Sequence, residues 1–348
     1  MTDPGQVPIS LVTVKCGVCD TDRAEQIGRG YDYEYFTCAE SFNVYRCREC
    51  GNVYLNPRPA PSEFARIYPA SYHSLNFAEA RYGLVHDVRS RLEARRLLRY
   101  CQGVPDDARI LDVGCGDGFH LKLMQRYGSP GWILEGADLD PRAVALASAA
   151  GIRIHHGSIE DLDLGSGRYD LVYTIQTIEH VAHPGAVFAA IHRILKPGGR
   201  LVVVTDNTGS IDFSWFRRGY WGGYHFPRHW NLFNRQSLTR LARRAGFEVS
   251  RMATIVSPVN WVYSIHNLLV DKRAPRWLIN RFTLASPLSL GAFTLLDVVL
   301  QQFGRGALLN AYFTRPGQRI SGRESPSSPP AGESGGTQDQ SRSMRSSP

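Results

Sequence analysis

Between Arg109 and about Ile255 short apolar runs alternate with segments that read as helices. The runs "RILDV", "WILEGAD", "IRIHH", "YDLVYTI" and "RLVVV" read as strands, and the helical segments begin near Gly118, Pro141, Pro184 and Arg235. Such alternation predicts a parallel sheet wound with helices on both faces, closed by a last strand at "ALLNAYFT". Upstream, "ARYGLVHDVRSRLEARRLLRYC" places Leu84, Val88, Leu92, Leu97 and Leu98 at roughly helical spacing, so an amphipathic helix with a solvated Arg-rich face is expected.

The pattern breaks in three places. Residues 1 to about 60 are rich in Cys and Tyr and leave through the rigid "NPRPAP". The tail 316–348 is Ser/Pro/Gly-rich with few apolar residues, the composition of a disordered segment. Before the last strand, "WLINRFTLASPLSLGAFTLLDVVLQQF" is strongly apolar, but Asp297 and broken periodicity argue against a spanning helix. Paired buried helices are the plain reading. A helix hairpin at a membrane surface, covering 277–303, is the sharper one, since Lys272, Arg273, Arg276, Arg281 and Arg305 flank it.

Composition narrows the class. At 348 residues with 43% apolar and 21% charged positions, the chain suits one large domain plus an appendage and excludes a fibre. A formal charge of +8 favours an anionic partner. The start "MTDPGQVPIS" has neither a basic region nor an apolar run, so a cytoplasmic protein is expected. Seven cysteines in a reducing compartment point to metal or to no special role, since disulfides rarely persist there. "CGVC" and "CREC" place Cys16, Cys19, Cys47 and Cys50 in two CxxC knuckles that can hold one structural Zn2+; Cys38 is a bystander.

The first strand runs into "LDVGCGDGFHL", with Asp112 at its end and Gly114, Gly116 and Gly118 at alternate positions before a helix. Glycines there let the backbone turn and let a ligand lie against main-chain N–H groups. The spacing is not that of a dinucleotide fingerprint, because Phe119 stands where the third glycine belongs. Asp138, ending the second strand in "EGADLDP", can accept ribose hydroxyls. Asp117 and Asp140 read as helix-start residues, and Cys115 as a small filler.

In order, "LDVGCGDG", "GADLD", "YDLVYTIQTIEHVAHP" and "LKPGGRLVVVT" resemble the class I S-adenosylmethionine-dependent methyltransferases. The resemblance implies a doubly wound seven-stranded α/β sheet of Rossmann type, S-adenosylmethionine as cofactor, and contacts from Asp112, Gly114, Gly116 and Gly118 near its methionine part. It further implies Asp138 at the ribose, and Ile159 and Glu160 at the adenine, although Ser158 stands where relatives carry an acid. The knuckles, the "NPRP" exit and the tyrosines of "IYPASYH" resemble bacterial methyltransferases of glycans, sugars or lipid-linked intermediates; the resemblance implies that Tyr68 and Tyr72 close over the cofactor, and packing of an aromatic linker is the equal alternative. The resulting plan is a zinc-ribbon-like module at 1–60, a helical linker or lid at 61–105, the methyltransferase domain at 106–315 with an insertion at 256–306, and the tail.

"GGYHFPRHWNLF" follows the fifth strand by some twenty residues, where it would roof the acceptor cleft. His225 and His229 are candidate general bases and His180, in "IEHV", a third. Tyr224, Arg228 and Trp230 are expected on the acceptor, with Arg228 holding an anionic group. The expected reaction is methyl transfer to oxygen or carbon of a small-molecule, sugar or lipid-linked acceptor. An RNA methyltransferase is disfavoured because "DYEYFTCAESF" is acidic and aromatic rather than basic, which leaves nucleic acid an unlikely partner. A non-catalytic cofactor-binding scaffold would usually show a damaged glycine loop, and this one is whole.

Overall fold

The structure, a computed structural model, describes residues 8–69, 72, 83–149 and 151–317, with 83–89 described by backbone alone. The expected disorder of 316–348 therefore falls almost wholly outside the described residues.

Three short strands, Ala24–Gly30 (β1), Phe42–Cys47 (β2) and Val53–Leu55 (β3), form an antiparallel sheet near the N-terminus. The helix Gly83–Tyr100 (α1) follows, where the periodicity places one. Its inner stripe is Ser90, Ala94, Leu97 and Tyr100, while Leu92 is exposed. The sequence put Leu92 on the apolar side, whereas the buried positions run 90, 94, 97 and 100; the expected Leu84 and Val88 lie where the backbone alone is described.

Each apolar run then becomes a strand: Arg109–Val113 (β4), Ile133–Asp138 (β5), Arg153–His156 (β6), Tyr169–Ile175 (β7) and Leu195–Asp206 (β8). Helices Phe119–Tyr127 (α2), Pro141–Ala149 (α3) and Pro184–Ile194 (α4) separate them. Asn231–Leu232 (β9), the helix Arg235–Arg244 (α5), and Glu248–Ile255 (β10) continue the chain. Helices Pro258–Asp271 (α6) and Arg276–Ile279 (α7) follow, then Pro287–Gln302 (α8) and the strand Leu308–Thr314 (β11). The seven-stranded sheet has the order β10-β11-β8-β7-β4-β5-β6, all parallel except β11, which is antiparallel to both neighbours. Leu171, Val172 and Tyr173 of β7 and Val202, Val203 and Val204 of β8 are fully buried, as strands covered on both faces must be. Each such side chain contributes about 1.5–3 kcal/mol of apolar burial.

Two features depart from the sequence plan. β9 pairs with β3, so the N-terminal sheet takes its edge strand from the histidine-rich loop and crosses the boundary expected at residue 60. Within 256–306, α6 buries Trp261 and Val262, but α8 buries only Asp297 and leaves most of its apolar residues in solvent, contrary to the paired buried helices expected there.

Candidate functional site

The loop after β4 turns through Gly114, Gly116 and Gly118, with φ of +77°, +54° and +76°. A Cβ on Gly114 would lie 2.3 Å from the Thr177 side chain, so no larger residue fits. The N–H groups of Gly114 and Cys115 both donate to the Ala137 carbonyl, which pins the loop to the end of β5. There the half-buried Asp138 accepts from Gly116 N–H at 2.8 Å and Asp140 N–H at 2.9 Å, one on each oxygen. Each oxygen keeps acceptor capacity for a hydroxyl. Burial, the largest influence, raises the Asp138 pKa against those two donors. Ile159 is buried in one cluster with Val113 and Ala137, and Glu160 is half-buried beside it.

Asp112 is the exception among the expected cofactor residues. It is buried beneath the loop, 3.8 Å from His120 Nδ1, whose Nε2 lies 3.3 Å from Glu93. Burial disfavours the charged imidazole, yet the two acids prevail and push the His120 pKa up to about 9. Asp112 therefore faces His120 of α2 at the end of β4, immediately before the glycine loop.

The segment 222–233 is almost wholly buried. Arg228 spends all five of its N–H donors inside the protein: Nε on the Ile67 carbonyl, Nη1 on the Phe226 carbonyl and Asp32 Oδ1, Nη2 on Asp32 Oδ2 and Thr37 Oγ1. It is fully buried and lies 4.5 Å above the Tyr35 ring. Tyr224 is also fully buried and donates to the Arg217 carbonyl at 2.6 Å. Trp230 donates to Pro227 O and carries the Arg58 guanidinium on its face. The expectation that Arg228, Tyr224 and Trp230 bind the acceptor is therefore corrected: all three are committed to holding the loop. His225 is buried too, with Nδ1 2.8 Å from Glu34 Oε2.

What the loop presents at the strand ends is His229. Its Nδ1 lies 2.8 Å from the Gly223 carbonyl and 3.2 Å from Oδ2 of Asp206, the last residue of β8. Glu179, just beyond β7, accepts from Thr205 Oγ1 at 2.8 Å through its carboxylate and from the N–H groups of Trp230 and Asn231 through its carbonyl. One ligand atom each of Glu179, His180 and His229 lie within 4.8 Å of one another. The His180 and His229 rings meet edge to face at 4.5 Å, and Tyr68 OH is 2.7 Å from His180 Nδ1. Burial raises the Glu179 pKa to about 7 despite the opposing effect of His229. For His229 burial acts downward, but Asp206 and Glu179 raise its pKa overall.

Sequence reasoning missed Glu179, Asp206, Asp32 and Glu34. Asp206 was findable, since it closes the apolar run "LVVVTD" where parallel sheets place their chemistry. Asp32 and Glu34 lie nearly two hundred residues from their partners, and no local spacing signals them.

Cys16, Cys19, Cys47 and Cys50 converge, with Sγ pairs at 3.4, 3.5 and 3.6 Å. Four thiolates about 2.3 Å from one zinc would sit about 3.8 Å apart, so the cluster fits a tetrahedral ion and not disulfides. Asp20 and Gly51, the residues after each knuckle, have φ of +57° and +72° and donate back to Cys16 and Cys47 carbonyls.

The methyltransferase domain family matches residues 84–251. A ubiquinone biosynthesis O-methyltransferase of Cereibacter sphaeroides is 33% identical over 172 residues, covering 45% of this chain and 67% of that protein. One of Xanthomonas axonopodis pv. citri is 34% identical over 149 residues, covering 41% and 54%. Among solved structures, an S-adenosylmethionine-dependent methyltransferase of Thermotoga maritima is 21% identical, covers 69% of this chain and 95% of that one, and superposes with a TM-score of 0.45.

Proposed function

The chain belongs to the class I S-adenosylmethionine-dependent methyltransferases, and we propose that within that family it methylates a hydroxyl oxygen of a small-molecule acceptor with His229 as general base. The observation that carries this reading is the His229–Asp206–Glu179 cluster at the C-terminal ends of β7 and β8, beside the glycine loop. The relatives' name, an O-methylation in ubiquinone biosynthesis, favours oxygen over carbon. A sugar or lipid-linked acceptor, met at the inner membrane surface, is the finer form of the proposal.

When bound, the cofactor would supply an electrophilic methyl group on a positively charged sulfur, with a neutral thioether as its leaving group. Gly114, Gly116 and Gly118 would give the cofactor backbone to lie against, Asp138 would accept from its ribose hydroxyls, and Ile159 and Glu160 would hold its adenine. His229 takes the hydroxyl proton, and Asp206 on Nδ1 orients the ring and stabilises the imidazolium that results. His180 and His225 buttress that ring, His225 anchored in turn by Glu34. Tyr68, hydrogen-bonded to His180, closes the site from the N-terminal side. Zinc on Cys16, Cys19, Cys47 and Cys50 would fix the module from which β3 supports the loop.

Calorimetry with S-adenosylmethionine tests the cofactor assignment: Asp138→Ala should weaken binding by about 1–3 kcal/mol. Methyl-labelled cofactor, assayed on phenolic, sugar and polyprenyl-linked hydroxyl compounds, tests the rest. His229→Ala should lower turnover about a hundredfold or more with cofactor affinity kept. A loss under tenfold would transfer the role of base to His180 or His225.

A further inference from the structure

Helix α8 is amphipathic in reverse. Leu288, Leu295, Val299 and Phe303 follow one another at helical spacing along a single stripe, and they are 78, 72, 55 and 77% exposed. On the opposite side Asp297, the lone charged residue of the helix, is fully buried and accepts from the N–H groups of Ser257 at 2.7 Å and Ala307 at 3.4 Å. Phe293 stacks on the buried Trp261 at 5.6 Å. These contacts fix the rotation of the helix, so the leucines face outward by construction. Trp277 of α7, 67% exposed, adds an amphipathic ring to the same segment.

The charge around this stripe is one-sided. From Lys272 to Gly306 the chain has five basic residues, Lys272, Arg273, Arg276, Arg281 and Arg305, and Asp297 as its one acid. All five basic residues are exposed and the acid is not; Lys272 pairs with Asp271 at 3.2 Å, so Arg273, Arg276, Arg281 and Arg305 carry the excess. An exposed apolar stripe, in a segment that also exposes arginines and a tryptophan, complements anionic head groups above acyl chains. Sixteen residues make about 24 Å of helix, and no helix among the described residues is long and apolar enough to cross a membrane, so the element suits lying in the surface.

We propose that α7 and α8 dock the enzyme on an anionic lipid bilayer. The face is coupled to the candidate site through α6: Trp261 receives Phe293, the neighbouring Asn260 donates to Asp206 at 2.7 Å, and Ser264 Oγ accepts from Gly222 N–H at 2.8 Å. A bilayer against α8 thus sits one helix away from the loop that carries His229. The docking stands independently of the reaction; its use, bringing a lipid-linked acceptor to the site, rests on the function proposed above.

Flotation of the full chain with phosphatidylcholine vesicles, with and without phosphatidylglycerol, tests the surface. The chain should float with the anionic vesicles, more weakly as salt rises. Leu288→Gln/Leu295→Gln/Phe303→Gln should reduce partitioning about tenfold or more, and Arg273→Gln/Arg276→Gln/Arg281→Gln should erase the preference for anionic lipid. Calorimetric S-adenosylmethionine binding checks that each variant folds, and Leu295→Gln alone replaces the triple variant if that one does not. Absence of flotation, or equal flotation of the apolar variant, overturns the proposal. So does a dimer of the native chain that the apolar variant dissolves without any vesicle binding, because the face would then be a contact between two copies.

Discussion

Arg228→Met removes the guanidinium while keeping most of its volume, and the structure sets the size of the effect. Five N–H donors disappear together, leaving the carbonyls of Ile67 and Phe226 without those donors at a cost of about 1 kcal/mol each. Asp32 keeps the N–H groups of Tyr35 and Thr37 and the Thr37 hydroxyl, but becomes a buried carboxylate with no cation beside it. Breaking a buried pair in this way costs about 3–5 kcal/mol in total. Urea unfolding of zinc-loaded protein, followed by the fluorescence of its six tryptophans, measures the loss. Asp32→Asn in the Arg228→Met background should recover about 2 kcal/mol, since the uncompensated charge is then gone. Burial raises the Asp32 pKa, but Arg228 and the backbone donors hold it below the usual carboxylate range. A depressed folded pKa contributes stability above the unfolded value of about 3.9 and loses it as pH falls through the folded one, so the gap between wild type and variant should shrink on acidification. A stability loss below about 1 kcal/mol, together with a raised acceptor KM, would refute the strut and restore the acceptor-binding role read from the sequence.

Elemental analysis should find one zinc per chain, and Cys47→Ser should abolish it; because β3 holds β9 and Asn234 donates to the Gly51 carbonyl, chelation should also expose the 222–233 loop to protease. His120→Ala should destabilise the protein most below about pH 6.5 and least above about pH 9, because a group whose folded pKa is raised contributes stability that is lost as pH climbs through the folded value. Asp206→Asn should shift the acid limb of the pH–rate profile to lower pH by up to about one unit, as the His229 pKa falls when its anion is removed; an unmoved limb would mean that another group titrates.

The sequence discloses what is periodic or local and conceals what is paired at long range. The sheet was legible because β7 and β8 are continuous apolar runs and α2, α3, α4 and α5 begin within a residue of where the pattern starts them. The cysteine cluster was legible because each knuckle is a local turn, closed by Asp20 or Gly51 in the left-handed region. The histidine loop was legible as a special segment, and the place of its arginine was not, for one physical reason. A buried arginine and an acceptor-binding arginine have the same letter, and what separates them is Asp32, on a segment that joins the loop only through the tertiary fold. The charges of the acidic "DYEYF" are the complement of "HFPRH": Asp32 to Arg228 and Glu34 to His225. The same limit explains α8. Its composition says apolar, and from composition alone a buried helix is the sensible expectation. The inward turn of Asp297, fixed by Ser257 and Ala307, leaves the leucines outside rather than in the core.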